Sequence, residues 1–406
     1  MTITEKLFYD KPELYSCEAD VLAIEGDPES PTLVLDRTIF YPEGGGQACD
    51  LGTIEAAGGQ AVAVTAVNEK GGVVRHLLAG ICSFRPGDRV RLVVDRERRT
   101  DYSQQHTAEH LIGATALRLL GAHVVSVHFG PERSYIDFDA LSLSDEEIAA
   151  VENEVEVAIA QDYAVRYHVC PPEDISSFPL RRKAPEVGDE ALRVVEIDGI
   201  DYSACCGLHQ ASTGKLRAVR LFPPEKYKGM TRVYFAAGSR AAADYLSLSR
   251  IARDAAREFG TSETQLAEVV AREVSRLKEL EFQVGALERE RAAAEVAAAL
   301  AAQPPAEGVA RVVAKRYSDR AAASLMTTAK AFAEAGAITL LASLPDLTVQ
   351  ALAPSSDARL GEKLKALLAE AGGKGGGGSA NFRAVFKDEE ALELFMKGAE
   401  ATLKQR

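Results

Sequence analysis

The chain has 406 residues, enough for about two to four compact units, and a net charge of -13, which argues against binding nucleic acid through overall charge alone. Its apolar share of 47% and charged share of 26% are ordinary for a globular protein, and no uncharged apolar run reaches the roughly 18 residues of a membrane helix. Charges occur early in the first ten residues, so we expect no signal peptide, no membrane contact and a cytoplasmic location.

The N-terminal part, residues 1–95, is predicted to form a small β-barrel-like domain. Residues 61–67 are rich in β-branched side chains, and residues 89–95 begin with polar and apolar residues in alternation. Glycine-containing turn signals separate these and other short apolar runs. Short strands at this spacing are typical of a barrel or a sandwich.

Residues 96–240 mix helical and strand patterns and are predicted to form an α/β domain. A helix is expected over residues 100–120, where Gly121 ends it. A capping box at Ser144 opens a second helix, which continues to about Asp162. Strands are expected at residues 192–197, 219–222 and 232–236.

Residues 241–302 are predicted to be one long helical region. Its apolar residues follow the spacing of a coiled-coil seam, with Glu273 as the one exception. The seam consists of Leu266, Val270, Leu277, Leu280, Val284 and Leu287. Such a stripe fits a homodimer, a helical hairpin within the chain, or packing on the chain's own domain, and we expect a homodimer.

A proline pair at residues 304–305 is expected to be a linker, and residues 306–406 are predicted to form a C-terminal α/β module. Strand and helix patterns alternate there, at residues 309–314, 321–334, 337–342, 349–353 and 361–370. A glycine-rich loop at residues 372–379 contains Lys374 and is interpreted either as a phosphate-binding loop or as a flexible surface loop. The predicted fold class of the whole chain is therefore α+β.

Two pairs of metal-ligand residues stand out in the second domain. His106 and His110 lie four residues apart in the predicted helix, so both imidazoles can point at one ion. His209 follows two adjacent cysteines, Cys205 and Cys206, and either thiol could complete the second pair. Three imidazoles and one thiolate suit zinc or another borderline metal, and not calcium or magnesium.

A third pattern lies in the predicted barrel, where a strand ends in a triple-glycine turn. Glycine permits a close approach of the backbone and unusual dihedral angles. Thr38 and Gln47 flank the glycines and could line a small pocket, although an ordinary hairpin turn is the alternative. The glycines are Gly44, Gly45 and Gly46.

These three patterns together resemble the editing domain of alanyl-tRNA synthetase and the stand-alone alanyl-tRNA editing proteins. The patterns are, in order, Asp36-x-Thr38-x-Phe40-Tyr41-Pro42-x-Gly44-Gly45-Gly46-Gln47, His106-x-x-x-His110 and Cys205-x-x-x-His209. The resemblance covers residues 1 to about 240, and the C-terminal module is more weakly similar to that of the same synthetase. The layout is similar to the long form of the stand-alone proteins. No segment resembles an ATP-dependent aminoacylation domain, so charging of tRNA is not expected.

The resemblance implies zinc-dependent hydrolysis of the ester that joins serine or glycine to alanine-specific tRNA. The implied zinc ligands are His106, His110, Cys205 and His209. The residues expected near the amino acid are Thr38 and Gln47, beside Gly44, Gly45 and Gly46. A threonine hydroxyl can hydrogen-bond a serine side chain and has no such partner on alanine, which would provide discrimination.

Binding of tRNA requires cationic side chains, whatever the overall charge. The cations selected for substrate binding are Arg99, Arg182 and Lys228. Further candidates are Arg96, Arg98, Arg181, Lys183, Lys226 and Arg232.

The chain departs from the family where the usual Cys-Gly-Gly-Thr-His becomes Cys-Cys-Gly-Leu-His, so Leu208 removes a polar group from the expected pocket. Two other functions stay open. Residues 106–110 also match the inverted zinc-peptidase pattern, with Glu109 as general base, although a Cys/His second pair argues against it. A non-catalytic tRNA-binding protein is the second alternative, because four protein ligands close a site in the manner of structural zinc.

Overall fold

The computed structural model describes residues 3–56, 59–185, 191–302, 311–355 and 358–404. These form two compact units, Met1–Asp254 and Ala255–Arg406. The expected linker at residues 304–305 and the first residues of the C-terminal module lie outside the described ranges. Within those ranges, no helix has the length and apolarity needed to cross a membrane.

The strands up to residue 237 are β1 Glu5–Lys6, β2 Ser16–Asp27, β3 Ser30–Leu35, β4 Arg37–Thr38, β5 Gly52–Ala56, β6 Val62–Lys70, β7 Val73–Leu78, β8 Arg89–Val94, β9 Val124–Phe129, β10 Ser134–Phe138, β11 Val165–Cys170, β12 Leu192–Ile197, β13 Asp201–Ala204, β14 Val219–Leu221, β15 Glu225–Tyr227 and β16 Met230–Ala237. The helices up to residue 302 are α1 Leu7–Asp10, α2 Arg96–Leu120, α3 Asp145–Gln161, α4 Ser239–Glu258 and α5 Leu266–Ala302. The remaining elements are β17 Arg311–Tyr317, α6 Ala322–Glu334, β18 Ala337–Ser343, β19 Thr348–Leu352, α7 Leu360–Glu370, β20 Lys374–Gly377, β21 Asn381–Val385 and α8 Glu389–Lys404.

The predicted N-terminal barrel is confirmed. Strands β2, β3, β7, β6, β5 and β8 follow one another around a closed barrel, and each neighbouring pair is antiparallel. Strand β8 shows the alternation that makes this possible, because Val90, Leu92 and Val94 are buried while Arg89 and Arg91 are exposed. Closure also removes the free strand edges that an open sheet would expose.

A buried ion pair fastens α2 to the barrel. Arg99 Nη2 lies 2.5 Å from Asp50 Oδ2, and both side chains are almost completely buried. The same guanidinium donates hydrogen bonds to the carbonyl oxygens of Ile39 and Pro12. This placement corrects the expectation that Arg99 contacts RNA, because its donors are used inside the protein.

Both helices expected in the second domain are present. α2 begins at Arg96, a few residues earlier than predicted, because the Asp95 side chain accepts a hydrogen bond from Arg98 N and caps the helix. It ends where Gly121 adopts a φ of 68°. α3 opens with the predicted capping box at Ser144.

Two sheets complete the first unit. One has the order β14-β16-β10-β9 with β15 also paired to β16, and the other has the order β11-β12-β13. Helix α2 packs against α3, β9 and β16, so its middle turns lie in the core. The three predicted strands are confirmed as β12, β14 and β16.

The helical region predicted over residues 241–302 consists of two helices in the structure. α4 ends at Glu258 and α5 begins at Leu266, and Gly260 lies between them with a φ of 60°. A left-handed glycine ends a helix without interrupting the apolar spacing on either side, so the periodicity did not reveal the break. In the second unit α5 packs against α6, and Ala292 is fully buried.

The C-terminal module has a sheet of order β17-β18-β19-β21-β20, in which β17 and β18 are parallel and the other pairs are antiparallel. The glycine-rich segment is more regular than expected, because Lys374–Gly377 forms the edge strand β20 on β21. A Cβ atom on Gly375 would lie 2.1 Å from Arg383 O, so this pairing requires glycine.

His76 makes the stability of the barrel sensitive to acid. Its Nε2 lies 2.7 Å from Thr38 Oγ1 and its Nδ1 lies 3.2 Å from Leu33 O. Burial lowers the pKa of His76 to about 4. This value lies below the pKa of about 6.5 in an unfolded chain, so the unfolded state takes up the proton first. The stability from neutral His76 is complete above about pH 6.5 and falls by up to about 3 kcal/mol as the pH approaches 4.

We expect the free energy of unfolding of a His76→Asn variant to fall less between about pH 7 and pH 4 than that of the wild type. The asparagine amide can still donate to Leu33 O but does not titrate. Denaturant unfolding across this pH range measures the difference, with His128→Asn as the exposed control. Parallel curves for His76→Asn and the wild type would contradict the assignment.

Candidate metal centre

Four side chains converge in the first unit. His106 and His110 come from successive turns of α2, whereas Cys205 and His209 come from the loop after β13. One ligand atom from each of the four lies within 4.8 Å of the others. The neighbouring Cys206 is exposed and lies outside the cluster, so the geometry selects Cys205 as the thiol of the second pair.

The donor set fits a metal ion. His106 and His209 each present Nε2 to the Cys205 sulfur, at 3.3 and 3.9 Å. Burial alone would raise the pKa of the Cys205 thiol, but electrostatic attraction to His106 and His209 and hydrogen bonds with His106 and His110 lower it well below the usual value. The site therefore favours a thiolate, which is the form that binds metal. Three imidazoles and a thiolate at this separation suit zinc among the common biological ions.

Gln47 holds the first histidine. Its Oε1 lies 2.9 Å from His106 Nδ1 and accepts a second hydrogen bond from Leu208 N at 3.1 Å. Because an amide oxygen only accepts, His106 carries its proton on Nδ1 and directs the Nε2 lone pair into the cluster. The structure thus places Gln47 as a residue that positions a ligand and is itself almost fully buried.

The triple-glycine turn aims Gln47 at this position. Gly44 and Gln47 exchange backbone hydrogen bonds, and Gly45 and Gly46 have φ values of 58° and 80°. These left-handed conformations are accessible to glycine at little cost. The turn therefore acts on the centre through Gln47.

A carboxylate holds the second histidine. Asp201 Oδ2 lies 2.9 Å from His110 Nδ1 and also accepts from Ser203 Oγ at 2.9 Å. Arg181 Nε donates to the other oxygen of Asp201 at 2.9 Å, and its Nη2 reaches Glu109 Oε1 at 3.4 Å. This network engages the Arg181 side chain, which is 7% exposed, inside the protein.

The network also sets the charge of His110 when no metal is bound. Burial would lower its pKa, but the hydrogen bonds to Asp201 and Cys205 outweigh burial and raise it to about 10. The pKa of Asp201 is itself lowered, because the hydrogen bond from His110 and the charge of Arg181 overcome its burial. A metal ion would displace the proton from His110 on binding.

The ligand loop is clamped by Arg193. Its Nη1 donates to Gly207 O at 2.6 Å, and its guanidinium stacks on Tyr167 with 3.8 Å to the ring centroid. A Cβ atom on Gly207 would lie 2.0 Å from His106 Cε1, so only glycine fits between the loop and the helix. Leu208 is fully buried against Phe8 and Tyr41, which explains an apolar residue at this position.

The other expected site residues lie in different surroundings. Thr38 is fully buried, and its hydroxyl bonds to His76 and accepts from Phe40 N at 3.0 Å. Arg182 is exposed, and Lys228 is exposed in the turn between β15 and β16. The described contacts bring none of these three to the ligand cluster.

Sequence reasoning missed Asp201 and Arg193. Asp201, Ser203 and Cys205 alternate along one strand and its extension, so they share a face and the acid points toward the ligand side. A carboxylate two strand positions before a metal ligand is a usable signal for a supporting group. Arg193 had no such signal, because it reaches the loop from the neighbouring strand β12.

Comparisons with known proteins match the segment that holds Gln47 and the segment that holds Cys205 and His209. The family profile of class II (A) tRNA synthetases matches residues 14–98, and that of the threonyl and alanyl tRNA synthetase second additional domain matches residues 192–234. The alanine–tRNA ligase of Methanoregula boonei is 32% identical over 92% of this chain and 40% of its own length. This chain is a relative of alanyl-tRNA synthetase. The Pyrococcus abyssi ligase is 28% identical over 97% of this chain and 43% of its own length.

The relationship to alanyl-tRNA synthetase covers most of this chain, but the chain spans less than half the length of these two ligases. The first matched range contains Gln47, and the second contains Cys205 and His209. The helix with His106 and His110 lies between the two ranges. The structure thus brings together residues from both matched ranges and from the segment between them.

We expect Asp201→Asn to lower the affinity for zinc ions by about 10- to 100-fold, because the amide holds the His110 ring less strongly than the carboxylate. Asp198→Asn is the matched control in the same turn, since Asp198 is half exposed and pairs with Arg166. Competition with a chromophoric chelator measures both variants. Equal zinc affinity in Asp201→Asn and the wild type would show that the carboxylate does not support the site.

Proposed function

We propose that this protein hydrolyses the ester of alanine-specific tRNA that carries a wrong amino acid, serine or glycine, and that zinc is its cofactor. The observation that carries the proposal is the buried His106, His110, Cys205 and His209 cluster in a chain that matches the second additional domain. When bound, zinc would supply a Lewis acid that polarises the ester carbonyl or a water and orients the substrate.

The chain's own residues would build and hold the centre. Gln47 and Asp201 accept hydrogen bonds from Nδ1 of His106 and His110, respectively, so both Nε2 atoms would face a metal ion once it has displaced the second proton of His110. His209 differs, because its Nδ1 is buried and has no hydrogen-bond partner among the described residues. Of the three rings, that of His209 is therefore the one without a hydrogen bond that fixes its orientation, and it would be the metal ligand held least firmly by the protein.

Thr38 could distinguish serine from alanine only if its present hydrogen bonds were rearranged. Its hydroxyl is engaged by His76 and Phe40 N, and the side chain has no exposed surface. A contact with a substrate serine would require the bond to His76 to open. The polar contact would then favour serine over alanine.

The two alternative functions are supported less well. A peptidase would need Glu109 as a free general base, but its carboxylate is buried and paired with Arg181. A purely structural zinc would explain the four protein ligands, but not why His209 Nδ1 lacks the hydrogen-bond partner that the other two rings have.

A homodimer is proposed through α5. Four seam residues are more than 40% exposed in this helix, and the described residues place no other helix over them: Leu277 59%, Leu280 46%, Val284 55% and Leu287 64%. These side chains repeat at intervals of three and four residues, which is the spacing of a coiled-coil interface. A second copy of the chain presents the same stripe and can cover it.

The deacylation experiment tests the proposed reaction. We expect alanine-specific tRNA carrying serine to be hydrolysed at least about 100-fold faster than the same tRNA carrying alanine. A chelator should abolish the activity and added zinc should restore it. Cys205→Ala should lose zinc and activity, while Cys206→Ala, the adjacent exposed thiol, should keep both.

The possible failures have separate meanings. Equal rates on both charged tRNAs would indicate a general esterase. Zinc binding without hydrolysis would support the non-catalytic alternative. Hydrolysis of peptides that Glu109→Gln abolishes would support the peptidase.

The dimer is tested by a Leu277→Glu, Leu280→Glu double variant. We expect sedimentation velocity to show a dimer for the wild type and a monomer for the variant, because two buried charges would face their copies across the seam. Lys278→Glu, on the polar side of the same helix, should remain dimeric. A monomeric wild type or a dimeric double variant would exclude this seam as the interface.

A further inference from the structure

An open polar pocket of about 590 Å³ lies beside the metal centre. Its lining residues are Glu13, Tyr15, Arg96, Thr100, Gln104, Gln210, Lys215, Arg217 and Ser239. Three cations and one acid line it, so its local charge is opposite to that of the whole chain.

The three cations have no ion-pair partner among the described residues. Arg96, Lys215 and Arg217 are all exposed, and the only ring contact of Arg96 is with Tyr15, at 5.1 Å from the centroid. The pKa of Asp162 is lowered mainly by hydrogen bonds from Ser212 and from Gly214 N, and to a smaller extent by the charge of Lys215. Exposed cations that lack a partner and face one pocket are available to an anionic ligand.

The pocket wall is fixed. Gln104 is almost fully buried and its Nε2 donates to Lys215 O at 2.8 Å, which ties the short 3₁₀ segment Thr213–Leu216 to α2. Arg217 follows this segment with φ 65° and ψ -55°, a conformation that costs a non-glycine residue backbone energy. The backbone that carries Lys215 and Arg217 is therefore held in place beside α2.

The pocket adjoins the centre along both of its ligand segments. Gln210 follows His209 directly, and its backbone N donates to Thr107 Oγ1 at 2.9 Å. Thr100 lies on α2 about 9 Å before His106 along the helix axis, at 1.5 Å per residue. At about 100° per residue, the pocket residues of α2 occupy the face next to that of the histidines.

We propose that this pocket binds backbone phosphates of the single-stranded 3′ end of RNA, next to the nucleotide that carries the ester. The inference rests on the proposed function, since an ester at the metal centre puts the preceding phosphates within reach of the pocket. Exposed Lys and Arg without partners suit phosphate oxygens. Thr100, Gln104, Gln210 and Ser239 add neutral hydrogen-bonding groups that fit phosphate and ribose.

Binding of an RNA hairpin with a single-stranded 3′ extension tests the pocket. The Arg96→Gln, Lys215→Gln, Arg217→Gln triple variant should bind it at least tenfold more weakly. Its slope of log affinity against log salt should be smaller by about 2 to 3, because about three phosphate contacts are lost. The matched control replaces three exposed barrel cations outside the pocket, Lys70, Arg85 and Arg91, by glutamine.

Further measurements identify the ligand that binds in the pocket. A blunt hairpin without the extension should bind the wild type and the triple variant equally. The triple variant should keep its zinc, and its deacylation should show a raised KM with kcat largely retained. Equal affinity and equal salt slope in the triple variant and the wild type would overturn the proposal. A wild type that binds the extension through these cations but hydrolyses nothing would refute the proposed function and leave the pocket standing.

Discussion

The centre depends on one buried amide. Gln47 leaves the barrel at the end of a glycine turn, and its oxygen lies between His106 Nδ1 on α2 and Leu208 N in the ligand loop. Three segments far apart in the chain thus meet at a single acceptor atom. Because that oxygen is shielded from water, leaving either N–H without it would cost the full desolvation of a buried donor. The barrel is therefore a structural part of the site.

Charge compensation explains why so many ionisable groups are buried beside one another. The Cys205 thiolate, Asp201 and Glu109 are negative, and Arg181 reaches both carboxylates. Arg193 faces the carbonyls of the ligand loop from the other side and is covered by tyrosine rings. Removal of one member would leave an unpaired charge in a medium of low dielectric constant. His209 differs from the other two histidines, because its Nδ1 has no hydrogen-bond partner among the described residues.

The cations of the first unit thus fall into two groups, one buried and one exposed. Arg99 and Arg181, which sequence reasoning offered to RNA, hold the interior together through Asp50 and Asp201. Three exposed cations, which have no ion-pair partner in the described part of the chain, line the pocket that adjoins Gln210. An acidic protein can bind a polyanion in this way, because the short range of screened charges makes the local field decisive.

The sequence by itself determined the elements whose signals are local. Alternating residues predicted the barrel strands, a capping box and Gly121 predicted helix ends, and the spacing of His106 and His110 predicted two ligands on one helix face. The spacing alone left Cys205 and Cys206 both open and only the family resemblance favoured Cys205, whereas the tertiary structure brings the Cys205 sulfur to the histidines and leaves Cys206 exposed. It also decided the partners of Arg99, Arg181 and Gln47. Those features arise from contacts between residues distant in the chain, and burial of a charge depends on what packs around it, which no local pattern records.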